Sequence, residues 1–158
     1  MSYATLDRTD RRILIELQKD PELSTKELAE RVGVSQSPCW RRLARLQEAG
    51  VIKGRFWSFD PKKLGFELVL FVRVKMGVHD KETFKAFEEA VSAIPEVQVV
   101  QLLIGEIDYR LRVVVRSMAE YETLFHNKLL GLPGVREFES SIMVKEVKNT
   151  QALPITAD

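Results

Sequence analysis

Between Ser35 and Arg55 the chain sets five cations, Arg41, Arg42, Arg45, Lys53 and Arg55, against one acid, Glu48. That local excess stands in a chain of net charge +1, so the positive charge is concentrated, as suits attraction of phosphate. At helical period Cys39, Leu43 and Leu46 recur at i, i+4 and i+7 and make one buried stripe. Ser37, Arg41 and Arg45 fall on the far side, facing outward. Arg42 lies at the flank of the stripe, where phosphate or an internal acid would take it. Ser35, Gln36 and Ser37 open the helix and bring hydroxyl and amide groups near phosphate or base edges. The chemistry is that of DNA contact, and its candidate residues are Ser35, Gln36, Ser37, Trp40, Arg41, Arg42, Arg45, Lys53 and Arg55.

Such a face needs elements to hold it. Ser24 and Glu27 form an S-x-x-E capping box, which predicts a helix from Ser24 through Leu28, Ala29 and Val32 to Gly33. Gly33 gives the turn, Ser35 starts the second helix and Gly50 closes it, so the pair reads as a helix-turn-helix. An earlier helix capped by Asp7, apolar at Ile13, Leu14 and Leu17 and stopped near Pro21, braces the other two, since two helices cannot bury a core alone. Val51 to Phe59, VIKGRFWSF, holds two β-prone runs broken at Lys53-Gly54 and predicts a small hairpin or wing that carries Lys53 and Arg55. Trp57 and Phe59 are expected to pack back on the helices.

Asp60-Pro61 to Leu64-Gly65 marks a linker, after which the period changes. The expected divisions are 1–60 for the DNA-binding head, 61–65 for the linker, 66–150 for a second domain and 151–158 for a tail. In that second domain strands are predicted at Phe66–Met76, Val97–Ile104, Tyr109–Val115 and Val135–Val147. Helices capped by Asp80 and Ser117 lie between them, and Gly105 to Asp108 makes a turn. The order β-α-β-β-α-β is the ferredoxin-like arrangement, and the fold class is α+β. Two helices cover one sheet face. Val69, Phe71, Val100 and Leu102 are expected together on the other, and a second copy of the sheet is the simplest cover.

Composition narrows the function. A hydrophobic fraction of 45% and a charged fraction of 30% over 158 residues are those of a globular protein of one or two domains. The apolar runs 68–74 and 97–104 are too short to span a membrane, and the opening MSYATLDRTDRR lacks the apolar core of a secretory signal, so a cytoplasmic protein is expected. With Cys39 alone on the buried stripe and only His79 and His126 besides, no metal site, cofactor or nucleophile-base pair is found. An enzyme on the ferredoxin-like fold therefore has little support.

The head motif (Leu6-Asp7, Asp10, Ile13-Leu14, Leu17-Gln18, Leu28-Ala29, Val32-Gly33, Ser37-Pro38-Cys39, Arg42-Leu43, Leu46, Gly50-Val51-Ile52) resembles the Lrp/AsnC family of feast/famine transcriptional regulators. The resemblance resumes at Gly105-Glu106-Ile107-Asp108-Tyr109, Leu132-Pro133-Gly134-Val135 and Lys145-Glu146-Val147-Lys148. It implies an N-terminal winged helix-turn-helix and a C-terminal amino-acid-sensing domain, RAM, that pairs through its sheets and builds dimers, tetramers or octamer-like rings. It also implies a small amino-acid effector between dimers, held by Leu103, Gly105, Glu106, Asp108 and Tyr109 of one turn and by Ser140, Ser141 and Ile142 of a neighbour's last strand. On chemistry alone, Asp108 suits an ammonium and the turn amides around Gly105 a carboxylate. The family turn usually reads glycine, Asp or Asn, an aromatic, then Asp, whereas this chain has Glu106 and Ile107. Regulation of amino-acid metabolism is the function implied, with an effector-independent DNA-organising protein of the same fold as the alternative.

Overall fold

The computed structural model describes residues 5–157, so the first four residues of the opening stretch and Asp158 lie outside it. The chain divides into two compact units: residues up to 58 with those from 149 onward, and residues 59–148.

The first unit is built from caps. Asp7 closes a full capping box with Asp10 and starts α1, Arg8–Lys19. Ser24 does the same with Glu27 for α2, Thr25–Val32, which Gly33 ends in the left-handed conformation at φ 73°. The turn leads directly into α3, Gln36–Glu48. Ile13, Leu14, Leu28, Ala29, Val32, Cys39 and Leu46 form one core, with Leu17, Leu43, Val51 and Ile52 packed at its edge. Cys39 is a buried free thiol whose pKa is raised by burial, in keeping with a small core residue. The last residues belong to this unit: Ile155 packs on the same core, and Gln18 and Leu153 exchange two hydrogen bonds of 3.1 and 2.6 Å.

The segment after α3 departs from expectation. No residue from 51 to 60 lies in a strand, and Phe56, Trp57 and Phe59 are 89%, 83% and 70% exposed instead of packed on the helices. An isolated two-stranded ribbon has little stability of its own, and among the described residues no strand lies in the first unit to support one here.

A short 3-10 turn, Lys62–Leu64, leads into the second unit. Its strands are β1, Leu68–Met76; β2, Val97–Leu102; β3, Tyr109–Val115; and β4, Val135–Ile142. They form one antiparallel sheet in the order β2-β3-β1-β4. α4, Lys81–Ser92, and α5, Met118–Leu124, start at Asp80 and Ser117 as expected. α5 runs on into a wider turn, Phe125–Leu129. Phe87, Val91, Tyr121 and Leu124 from these helices pack on Leu70, Val72, Val74, Leu111 and Val113. β4 stops five residues before the expected Val147 because Ile142 is paired with Leu70, and Met143 makes a last bond to Val69 near the start of β1.

Register changes the reading of the open sheet face. One extra residue between Val97 and Val99 shifts β2, so Val100 stands opposite Leu111 and Leu102 opposite Tyr109, both on the helix-covered side. Val69 and Phe71 keep the open side together with Val99 and Val114, but Arg73, Lys75, Arg110, Arg112, Glu137 and Glu139 share it. The guanidinium of Arg110 lies 5.5 Å from the Phe71 ring centroid. This face is charged with an apolar end, not the apolar surface that the pattern of residues alone suggests.

Candidate DNA-binding face and sensing turn

Ser35 stands at the cap position of α3 in extended geometry, yet its side chain makes no capping bond, so its hydroxyl is unspent. Ser35, Gln36, Ser37 and Arg41 are exposed, and Trp40 is 60% exposed. Thr25, Gln36, Ser37 and Trp40 line a shallow cleft of about 420 Å³ at the α2-α3 turn. Among the described residues Arg41 has no acidic partner. Lys53 and Arg55 are exposed on the strandless segment.

The other two arginines are engaged. Asp10, 1% exposed, accepts from Arg42 Nη1 at 2.9 Å and from Arg45 Nη2 at 2.6 Å. Arg42 also donates to Asp7. Of the two partners expected for Arg42, phosphate or an internal acid, the acids Asp7 and Asp10 lie within bonding distance. Arg45 departs from its expected free, outward position: its side chain is 49% exposed but bonded to α1. The cause is geometric, since positions three apart on a helix share a face, and both arginines come over Asp10. The Asp7 carboxyl is held below the usual range, chiefly by the Asp10 amide; burial acts in the opposite direction, and Arg42 adds to the lowering.

In the second unit the turn between β2 and β3 is tied to β1. Leu103 N–H donates to the Asp108 carbonyl at 2.8 Å, and Asp108 N–H to the Val74 carbonyl at 3.0 Å. The Asp108 side chain accepts from Met76 N–H at 2.8 Å and lies 2.9 Å from His79 Nε2, with Lys75 Nζ at 3.9 Å. Burial pushes its pKa up, but the Met76 amide, His79 and Lys75 outweigh that and hold it low. Arg73 bridges Glu106 and Glu139 at 3.3 and 2.9 Å, and Lys75 donates to the Glu106 carbonyl. Beside the turn Arg73, Lys75, Glu106, Ile107, Arg136, Glu137 and Glu139 line an open cleft of about 400 Å³.

The candidate effector residues are only partly gathered. Tyr109 is corrected: it is 1% exposed, packed between Phe84 and Phe87, and its hydroxyl donates to Glu88 at 2.7 Å, so it faces the core. Its place opposite Val74 in the ladder fixes that inward direction. Ser140 also points to the helix side, where its hydroxyl meets that of Tyr121. Ser141 lies on the open face opposite Phe71, and Ile142 is 50% exposed opposite Leu70. Within one chain these three stand opposite β1 from its middle, Val72, toward its start, whereas the turn bonds to Val74 and Met76 at its end. The sequence reading missed His79 and Lys75 as partners of Asp108. Lys75 was accessible through strand alternation, but nothing local marks His79, 29 residues away.

Asp7 and Asp108 both lose their protons more readily folded than unfolded. Each therefore adds stability above the ordinary Asp pKa of about 3.9, lost as the pH falls through the lowered folded value. Thermal melts from about pH 6 to pH 2 should show Tm falling most steeply below about pH 4. A constant Tm across that window would contradict the assigned hydrogen bonds.

Among the described residues no group of three or more His, Cys, Asp or Glu is placed to hold a metal, and no helix is long and apolar enough to cross a membrane. Residues 6–53 match the family described as winged helix-turn-helix DNA-binding, and residues 69–153 match the Lrp/AsnC ligand binding domain. The chain is 37% identical over 150 residues to the DNA-binding transcriptional activator DecR of Escherichia coli, covering 95% of this chain and 99% of that one. It is 39% identical to the leucine-responsive regulatory protein of the same organism, over 95% of this chain and 92% of that one. A transcriptional regulator of Neisseria meningitidis, solved as a complex with L-methionine, superposes with a TM-score of 0.89 at 37% identity, covering 95% of this chain and 97% of the other. An AsnC family transcriptional regulator from Agrobacterium tumefaciens gives 0.88 at 38% identity, over 94% and 97% of the two chains. With both units matched in order, the chain belongs to the Lrp/AsnC family of DNA-binding transcriptional regulators, a helix-turn-helix head joined to a ligand-binding domain.

Proposed function

We propose that the protein is a sequence-specific regulator of genes of amino-acid metabolism, in which the exposed side of α3 reads DNA and a free amino acid bound at the β2-β3 turn changes the affinity. The observation that carries the DNA reading is Arg41, exposed on α3 beside Ser35, Gln36, Ser37 and Trp40 with no acidic partner among the described residues. The effector reading is supported by Asp108, a carboxylate kept ionised and partly buried at the turn, and by the L-methionine complex of the Neisseria meningitidis relative. An ionised carboxylate has about four acceptor sites, so room remains for an ammonium beside Met76 N–H and His79.

Self-association completes the reading. Ser141 and Ile142 stand opposite the first half of β1 and Ser140 is turned to the helix side, whereas the turn bonds to Val74 and Met76 at the end of β1, so a small effector touching both would draw on two protomers. Sedimentation at micromolar concentration is expected to give a dimer or larger species. A clean monomer would remove the shared site.

Arg41→Ala tests the DNA face. It is expected to weaken binding of a duplex selected by the protein from a random pool by about 1–3 kcal/mol, with the fold intact by circular dichroism. An unchanged affinity in a folded variant would take α3 out of the interface. If DNA binding persists but no amino acid alters it, the protein is the effector-independent DNA organiser instead.

A further inference from the structure

We propose that Asp10 and Asp7 form an electrostatic clamp that holds Arg42 and Arg45 against α1 and so withholds two cations from the DNA backbone, leaving DNA contact to Arg41 and the exposed start of α3. The inference rests on the reading that α3 faces DNA. Asp10 is the buried charged residue among those described, and it is satisfied by two guanidinium groups at 2.9 and 2.6 Å. Asp7, half exposed, adds a second acid to Arg42. For either arginine to reach a phosphate, a charge-assisted bond to one of these acids has to break, and breaking those to Asp10 leaves a buried carboxylate short of a partner. Arg41 has no such bond to lose.

The consequence is for selectivity. Attraction to the backbone is the same for every sequence, so cations that reach phosphate strengthen binding to all DNA alike. Cations neutralised by the protein's own acids do not, and the contacts at base edges then make a larger share of the total.

The test uses the full chain, a random-sequence duplex and fluorescence anisotropy over a range of salt. Asp7→Ser removes the acid that engages Arg42 alone and keeps a side chain able to cap α1; the single Asp10 carboxylate is then left for two guanidinium groups, so one positive charge is unmatched and Arg42 is the cation set free for phosphate. The clamp predicts that log K against log salt steepens by about 0.9 per released cation, which is about eightfold tighter binding at 0.1 M salt. Arg42→Ala alone should bind random DNA like wild type, and the double variant Asp7→Ser/Arg42→Ala should return to the wild-type slope. An unchanged slope in Asp7→Ser overturns the clamp. So does an equal loss from Arg42→Ala in both backgrounds, because Arg42 would then already touch phosphate. Asp10→Asn is expected to act in the same direction, and if it folds poorly the Asp7 series decides alone. Arg41→Ala separates the two ideas: weaker binding there with no effect of Asp7→Ser removes only the clamp, whereas no effect of Arg41→Ala removes the DNA face and the clamp together.

Discussion

Replacing Asp108 with alanine is expected to abolish the response to an amino acid while leaving DNA binding in place. The carboxylate is the acceptor proposed for the ligand's ammonium, in a partly buried site where losing one member of such a pair costs on the order of 2–5 kcal/mol. The same carboxylate accepts from Met76 N–H and His79, so the variant also leaves a backbone donor at the end of β1 without that partner, a cost of about 1–3 kcal/mol to the second unit. The α3 face lies in the other compact unit. Asp108→Asn divides the two effects. An amide can still accept from Met76 N–H, so stability should largely return while the ligand's ammonium still loses its counter-charge. Titrations of each variant with the proteinogenic amino acids, with and without DNA, read the result. A wild-type response in Asp108→Ala would make the stretch from Gly105 to Tyr109 a turn and nothing more.

Gly134→Ala carries the largest expected loss of stability. Gly134 has φ +71°, and a Cβ there would stand 2.1 Å from Thr83 Cγ2 on α4 and 3.1 Å from Met76 Cε on β1. Left-handed strain and overpacking together come to about 2–4 kcal/mol. The position matters because the Gly134 carbonyl accepts from Gly77 N–H at 2.8 Å and ties the start of β4 to the end of β1, next to Met76. Urea unfolding followed by circular dichroism should show a lower midpoint for the second unit, and an unchanged midpoint would mean that α4 yields at Thr83 without cost. Thr83→Ser removes the methyl in the way and should recover part of the loss.

What could be read ahead of the structure was what is local. Asp7, Ser24, Asp80 and Ser117 each start a helix where expected, because a cap and its partner amides lie within three residues. The order of strands and helices followed from the same punctuation. What could not be read depends on register and on distant pairing. A single extra residue in β2 turns Val100 and Leu102 to the helix side, where Val100 packs on the core and Leu102 stays 60% exposed, and no local pattern marks it. Arg42 and Arg45 lie 32 and 35 residues from Asp10, so their shared acid appears only once α1 and α3 are packed together. Tyr109 follows the turn directly in sequence, but strand alternation sends it into the core beside Phe87. The aromatics Trp57 and Phe59 looked like packing residues by type, and among the described residues no strand pairs with their segment.

In the function proposed, one small molecule and one DNA duplex act on the same equilibrium through two separate units. That coupling is tested most directly in the wild-type protein, by measuring the affinity for a selected duplex with and without a saturating amino acid, and the affinity for that amino acid with and without saturating duplex. Linkage requires the two ratios to be equal, and coupling of this kind is about 1–3 kcal/mol, or roughly 5- to 150-fold. The account predicts at least one amino acid for which both ratios depart from unity by the same factor. Binding of amino acids none of which alters the DNA affinity, or no binding by any of them, would contradict it.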